Sequence, residues 1–345
     1  DMMKTDLLIS LLLATLLLVS IYFFLERKIA VAAFQGAILV LLIIDLWRAD
    51  VQLVSGAKDA REQANYFVST DVINFLVDKQ KTDKFRVLPL TQEKQPNWYA
   101  YFRIESVGGY QAAKLRLYQD LVEVVGGGST EQPMFFTSPA IMDLLSIRYL
   151  IVDKPASAPG YKEVFSGKDN SGYVLERENW TPRAWLVSRV EQKSPVDILK
   201  GIKASSFNPR EVAYLESVAP SVQAPDSTAS VRLTESGIHD LNFKVTASGQ
   251  NFLFLSEMYY PAGWKCLIDG NETEIHKTTY AFRGVVVPKG PHEVKFVFEP
   301  ASFALGKSVS LGSNILVTLM LGVAGVELFR KRQKPGSESG KTEKK

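Results

Sequence analysis

Tyr259, Tyr260 and Trp264 bracket Pro261, Ala262 and Gly263 in the stretch "SEMYYPAGWKCLIDG". Pro and Gly interrupt a strand, so three aromatic rings gather at a strand break. Such rings can stack on a sugar, plug the end of a β-domain or rest on lipid headgroups, and residue type alone leaves all three open. Arg283 follows in "TTYAFRGVVVP". Its planar fork suits a lipid phosphate. The commoner use of such an arginine is an ion pair, here with Asp269 or Glu272. Arg183 in "TPRAW" poses the same choice. A second aromatic group, Trp98, Tyr99, Tyr101 and Phe102 with Arg103, fills a loop-like stretch. A loop seldom presents so many rings without a contact to make: the membrane surface, further helices of the same protein, or an acceptor. Asp45 and Asp50 flank the end of an apolar run. A carboxylate there could serve as a base, bind a divalent ion, or simply form the polar end of a helix.

Other chemistries are disfavoured. Cys266 is the single cysteine, so no intramolecular disulfide forms and a zinc site could use only one thiolate. The three histidines, His239, His276 and His292, are too few for a His-rich metal centre. No cofactor or metal site is evident. There is no Walker motif, no Rossmann glycine pattern and no Gly-x-Ser-x-Gly elbow. "VVGGGST" closes a helix rather than opening one, so it is no phosphate cradle.

The elements that must position these residues divide the chain sharply. Residues 7–25 carry no charge, residues 29–47 form a second apolar run, and residues 309–326 a third. A hydrocarbon core about 30 Å thick needs roughly 20 such residues in a helix. Three charged residues, Glu26, Arg27 and Lys28, separate the first two runs, which predicts a helical hairpin rather than a secretory signal. The tail, residues 330–345, carries seven Lys/Arg and two Glu, a net +5 against +3 for the whole chain. The remainder is therefore −2, and no nucleic-acid partner is expected. Basic residues beside a membrane helix mark the cytoplasmic side. That places the tail, Arg27 and Lys28 inside, and the large middle region outside. Residue 1 then also lies outside, so the sequence is expected to continue upstream as the C-terminal part of a longer polytopic protein.

The expected architecture is a membrane protein with three transmembrane α-helices plus an α+β extracytoplasmic region ending in an antiparallel β-sandwich. Its parts are a transmembrane hairpin over 1–47 (about 7–25 and 29–47), a mixed α/β subdomain over 48–155 and a mainly β subdomain over 156–302. A transmembrane helix over 303–329 and a basic cytoplasmic tail over 330–345 follow. Within the first subdomain, residues 59–68 read as a helix and Ser69, Thr70 and Asp71 cap another. "FRVLPL" and "IRYLIVDK" read as strands. A helix with Leu115, Tyr118, Leu121 and Val122 on one face ends at Gly126. Ser138-Pro139 and Ser194-Pro195 each start a helix. In the second subdomain Phe252, Phe254 and Ser256 should share one strand face, with Leu253, Leu255 and Glu257 on the other. Asp269-Gly270 favours a type I′ hairpin. The sandwich is expected from about 210 to 300.

Four stretches resemble the YfhO family of bacterial polytopic membrane proteins. They are "VGGYQAAKLRLYQDLVE", which adds Tyr110 to the candidate contacts, "MDLLSIRYLIVDK", "TPRAWLV", and the long run from "LFLSEMYYPAGWKC" to "VKFVFEPASFALG". The first has Gln111 where the family pattern leads one to expect His, and "TQEKQPNWYAYFRIE" departs from the pattern. The resemblance implies a link to GT-C-type glycosyltransferases, which use polyprenyl-phosphate sugars on the outer face to glycosylate envelope polymers. It also implies a bacterial inner-membrane location, upstream transmembrane helices as partners and a divalent metal in the full-length protein. The catalytic carboxylate of such enzymes usually lies in the first outer loop, so this sequence alone is expected not to transfer sugar. The alternative is a non-catalytic envelope protein whose β-sandwich binds glycan or a protein partner.

Overall fold

The computed structural model describes residues 2–55, 67–91, 97–169 and 171–332. The helix expected over 59–68 lies almost wholly outside them, as do residues 333–345 of the tail. The chain forms two units, Asp1–Val68 and Ser69–Lys345.

The first unit is a helical hairpin of α1 (Met2–Leu25) and α2 (Val31–Ser55). The turn places Arg27 in the left-handed region, φ 55°, and Phe24 stacks on Phe34 with centroids 4.4 Å apart. Both helices exceed the apolar runs. Backbone hydrogen bonding continues through the polar stretch after Trp47, which hydropathy reads as an end. α1 is long and apolar enough to cross a membrane, and residues Val31–Trp47 of α2 form a shorter apolar segment.

The second unit begins with α3 (Asp71–Lys79), whose Thr70 side chain accepts the Ile73 N–H at 3.4 Å. There follow β1 (Arg86–Leu90), α4 (Trp98–Tyr101), α5 (Arg116–Asp120) and a wider helical turn, Leu121–Val125. Leu121 and Val122 are buried as expected, but Leu115 precedes the helix and is exposed. Next come α6 (Pro133–Phe136), α7 (Pro139–Leu144), capped by Ser138, β2 (Ile147–Val152), β3 (Tyr161–Ser166) and β4 (Tyr173–Arg177). The four strands form one sheet in the order β1-β2-β4-β3. The expected divide at 155/156 thus falls inside a sheet, because β3 and β4 return to pair beside β2.

Beyond it lie β5 (Ala184–Val187), β6 (Arg189–Gln192), α8 (Pro195–Lys203), capped by Ser194, and β7 (Val212–Leu215). β6 and β7 run parallel, a departure from the antiparallel expectation. Parallel neighbours need a crossover, and α8 supplies it. The last strands are β8 (Ser230–Ser236), β9 (Asp240–Ala247), β10 (Asn251–Met258), β11 (Trp264–Ile268) and β12 (Asn271–Thr273). β13 (His276–Thr278), β14 (Phe282–Val287) and β15 (Gly290–Phe298) complete them. They build a six-stranded sheet, β5-β10-β14-β13-β7-β6, and a five-stranded sheet, β12-β11-β15-β9-β8. The helix α9 (Ala301–Arg332) follows β15, and its Ala301–Val326 stretch is long and apolar enough to span a bilayer.

β10 is the hinge of the packing. Phe252 and Phe254 enter a core shared with Leu88, Leu150 and Trp185. Leu253 and Leu255 enter a second core with Phe243, Val294, Phe296 and Cys266 of the five-stranded sheet. Alternation fails at Glu257. The β10–β14 register slips between Leu255 and Met258, and a bulge re-aims the side chain. Ser256 and Glu257 therefore both reach Arg86, each at 3.0 Å. Asp269 and Gly270 carry positive φ, 51° and 85°, as a type I′ turn requires.

Candidate functional site

One cleft, of about 200 Å³, collects four of the sequence candidates: Tyr259, Tyr260, Trp264 and Arg283, together with Lys265 and Glu272. It lies at the foot of α9. Gly263 has φ 99°, and a Cβ there would come within 2.8 Å of Pro300 Cα, so only glycine lets the loop seat on that residue. The Glu299 N–H donates to the Gly263 carbonyl at 2.6 Å, and Ala301 then opens the helix. Phe298 closes the same corner, 5.2 Å from the Trp264 ring and 6.4 Å from Tyr260.

Arg283 is only 4% exposed. Its Nε donates to the Met258 carbonyl at 2.9 Å and its Cζ lies 3.8 Å from the Trp264 centroid, a cation–π arrangement. Its Nη1 is buried without a hydrogen-bond partner among the described residues. Burial pushes the Arg283 pKa down to about 10. The expected ion pairs to Asp269 or Glu272 do not form. The hairpin turns Asp269 toward β15, where it meets His292 Nδ1 at 2.6 Å and accepts the Glu293 N–H at 2.8 Å.

A second cleft, of about 370 Å³, is lined by Arg86, Asn97, Arg103, Glu105 and Ser106. Behind it stands an ion cluster that sequence reading missed, apart from the ambiguity at Arg183. Arg183 bonds Glu105 at 2.7 Å and Glu257 at 2.8 Å. Arg86 reaches Glu257 at 3.0 Å and Glu105 at 3.5 Å. Burial and the neighbouring Arg183 pull Arg86 down. Burial alone would lower Arg183 too, but Glu257 and Glu105 hold it up. Burial would raise Glu105, yet the charges of Arg183 and Arg86 hold it below the usual carboxylate range.

The aromatic stretch expected to face outward is mostly packed instead. Trp98 and Tyr99 are buried, because Trp98–Tyr101 closes into a helical turn that carries both rings inward. Tyr101 and Tyr110 stay exposed, at 57% and 65%. Asn97 clamps the Tyr110 backbone with bonds of 2.9 and 3.0 Å. Arg103 has φ 60° and lines the second cleft. Asp45 and Asp50 are exposed on α2. At about 100° per residue, five positions set them about 140° apart around the helix, so they do not form a pair. Among the described residues no three His, Cys, Asp or Glu side chains gather as metal ligands.

Residues 224–310 match the model of a family described as bacterial membrane protein YfhO. Over these residues the chain is similar to the YfhO family. The YfhO match runs from the loop before β8 into the first turns of α9 and contains every named residue of the cleft at its foot. Of the ion cluster it contains only Glu257. No curated protein matches the chain, and no solved structure matches it.

Proposed function

We propose that the chain is the C-terminal part of a YfhO-like GT-C-type glycosyltransferase of the bacterial inner membrane. It would transfer sugar from a polyprenyl phosphate to a cell-envelope polymer, with the β-rich region holding acceptor or donor above the bilayer. In this reading the region between α2 and α9 is extracytoplasmic, residues 330–345 are cytoplasmic, and the six- and five-stranded sheets face each other as a β-sandwich. Upstream helices of the same protein would complete the lipid groove. The observation that carries the reading is the cleft where Tyr259, Tyr260 and Arg283 meet, with Tyr260 6.4 Å from Phe298 at the end of the strand that leads into an apolar helix. Aromatic rings and a guanidinium are the groups that bind sugar rings and phosphates. With no three ligating side chains together among the described residues, no step here runs through a divalent ion.

A second reading has its own support. Glu105, held below the usual carboxylate range by Arg183 and Arg86, is poorly matched to proton abstraction near neutral pH. In that reading Glu105 is a structural ion-pair partner, and the region binds glycan or a protein partner without catalysing. Deleting the gene separates the two readings. The envelope polymers of the deletion strain should lose one sugar substituent, and re-expression should restore it. Unchanged polymer composition would favour the non-catalytic reading.

A further inference from the structure

Glu105, Ser106 and Val107 run beside β1 as one more extended rung of the four-stranded sheet. The Val87 N–H donates to the Glu105 carbonyl at 2.9 Å, and the Val107 N–H donates to the Val87 carbonyl at 3.1 Å. Main-chain groups alternate from edge to edge along an extended segment, so the N–H and C=O of Ser106 face away from β1. Neither has a main-chain partner among the described residues, and Ser106 lines the cleft of about 370 Å³. The next amides on that edge are taken. The Ile104 N–H donates to the Tyr99 carbonyl at 3.0 Å and the Gly108 N–H to Ser106 Oγ at 3.2 Å. The edge therefore offers full pairing to a single residue. Arg103 lines the same cleft, is exposed, and joins no ion pair among the described residues. At φ 60° it stands just past the α4 cap, Phe102, where helices favour glycine. The turn is held by the main chain, Arg103 N–H to the Ala100 carbonyl at 2.9 Å, so it makes no use of the guanidinium. The one carboxylate lining the cleft, Glu105, already serves Arg183 and Arg86. Counting Arg86, Arg103, Arg183 and the nearby Lys84 against Glu105 and Glu257 leaves the cleft positive.

We propose that this cleft captures the C-terminal carboxylate of an extended peptide from a partner protein. The last residue of the peptide pairs antiparallel with Ser106. Its N–H donates to the Ser106 carbonyl, one carboxylate oxygen accepts the Ser106 N–H, and the other accepts from the Arg103 fork. This is strand addition ended by the bidentate chemistry in which arginine excels. Antiparallel pairing sends the chain end toward Arg103 and the rest of the peptide out past Gly108. Parallel pairing would send the carboxylate the other way, away from its cation. An internal stretch of strand would find the amides of Ile104 and Gly108 already engaged, whereas a chain end asks for nothing beyond Ser106. The cleft shares no lining residue with the one at Arg283 and belongs to the four-stranded sheet, outside the other two. The site stands whether or not the protein transfers sugar.

The test titrates the whole protein, in a neutral maltoside detergent, into dansyl-Ala-Ala-Ala with a free C-terminus and follows fluorescence anisotropy. Binding should be saturable. The same peptide as its C-terminal amide, and dansyl-Ala-Asp-Ala amide with an internal carboxylate, should each bind at least tenfold more weakly. Free acetate should compete only at far higher concentration. Arg103→Gly should abolish binding without lowering the melting temperature, because glycine suits the turn. Ser106→Pro, which removes an N–H that has no main-chain partner, should weaken binding several-fold. No saturable binding in the wild type, or full binding by the amide or by Arg103→Gly, would overturn the site. Equal binding of the internal aspartate would overturn the chain end as its ligand, and acetate of equal potency would overturn the peptide. A lower melting temperature in Arg103→Gly would make the arginine structural and overturn its assignment, and full binding by Ser106→Pro would overturn the strand pairing.

Discussion

The guanidinium of Arg283 lies over the indole of Trp264, 3.8 Å from its centroid. The two residues belong to different sheets, Arg283 to β14 and Trp264 to β11. Their contact therefore ties the sheets together at the end that meets α9. The tryptophan is the ring that holds an arginine in place at the cleft, rather than an open platform for a sugar.

Removing that ring should cost stability. Truncating a buried Trp costs about 3–5 kcal/mol, and a cation–π contact adds roughly 0.5–2 kcal/mol. Trp264 is half-buried, so the lower part of the range applies. Trp264→Ala should lose about 3 kcal/mol, and Trp264→Phe should recover much of it. Chemical denaturation in detergent measures both. A loss well under 1 kcal/mol would mean that the indole does not join the sheets.

The ion cluster should fail in acid. Glu105 sits below its usual pKa because Arg183 and Arg86 outweigh its burial. A carboxylate whose folded pKa is depressed stabilises the fold above its unfolded pKa, about 4.3, and that contribution disappears as pH falls through the folded value. Melting curves of wild type and Glu105→Gln should thus differ most at neutral pH and converge below about pH 4. A gap that widens on acidification would contradict the assigned direction.

Arg183 should be the costliest member to remove, since it is almost fully buried and touches both carboxylates. Breaking a buried pair from one side costs about 3–5 kcal/mol. Arg183→Met should fall in that range, and a change within 0.5 kcal/mol, the usual scatter of a surface substitution, would refute the cluster.

Cys266 should be silent to thiol reagents in the native protein. It is buried between the two sheets and burial pushes its thiol up to about 12, so the reactive thiolate is scarce at neutral pH. Labelling should follow unfolding, with no fast phase. That silence frees cysteine labelling for topology. With an impermeant maleimide on intact spheroplasts, Lys168→Cys should react and Lys341→Cys should not. The reverse would invert the proposed orientation.

What the sequence disclosed was local. The caps at Thr70, Ser138 and Ser194 depend on a few neighbouring residues, and the alternation of Phe252 to Leu255 on the pleat of one strand. The Asp269-Gly270 turn was legible for the same reason. What it hid was set by distant partners. Glu257 leaves its expected face because β14 slips beside it, and its partner Arg86 is 171 residues away. Trp98 and Tyr99 looked like loop aromatics because nothing nearby in sequence shows the core they enter. Tyr259, Tyr260 and Trp264 stand together in the sequence, but the arrival of Arg283 beside them was not legible there, and the ion pair expected of it is absent, since His292 takes Asp269.

The central claim is tested most directly by transfer itself. Membranes carrying the full-length protein would be given a radiolabelled polyprenyl-phosphate sugar and envelope polymer, beside membranes lacking it and membranes with Tyr260→Ala or Arg283→Gln. Label should enter the polymer only when the protein is present, and each cleft variant should reduce that incorporation at least several-fold. Equal incorporation with and without the protein would contradict the glycosyltransferase reading, and full activity in both variants would remove the cleft from it.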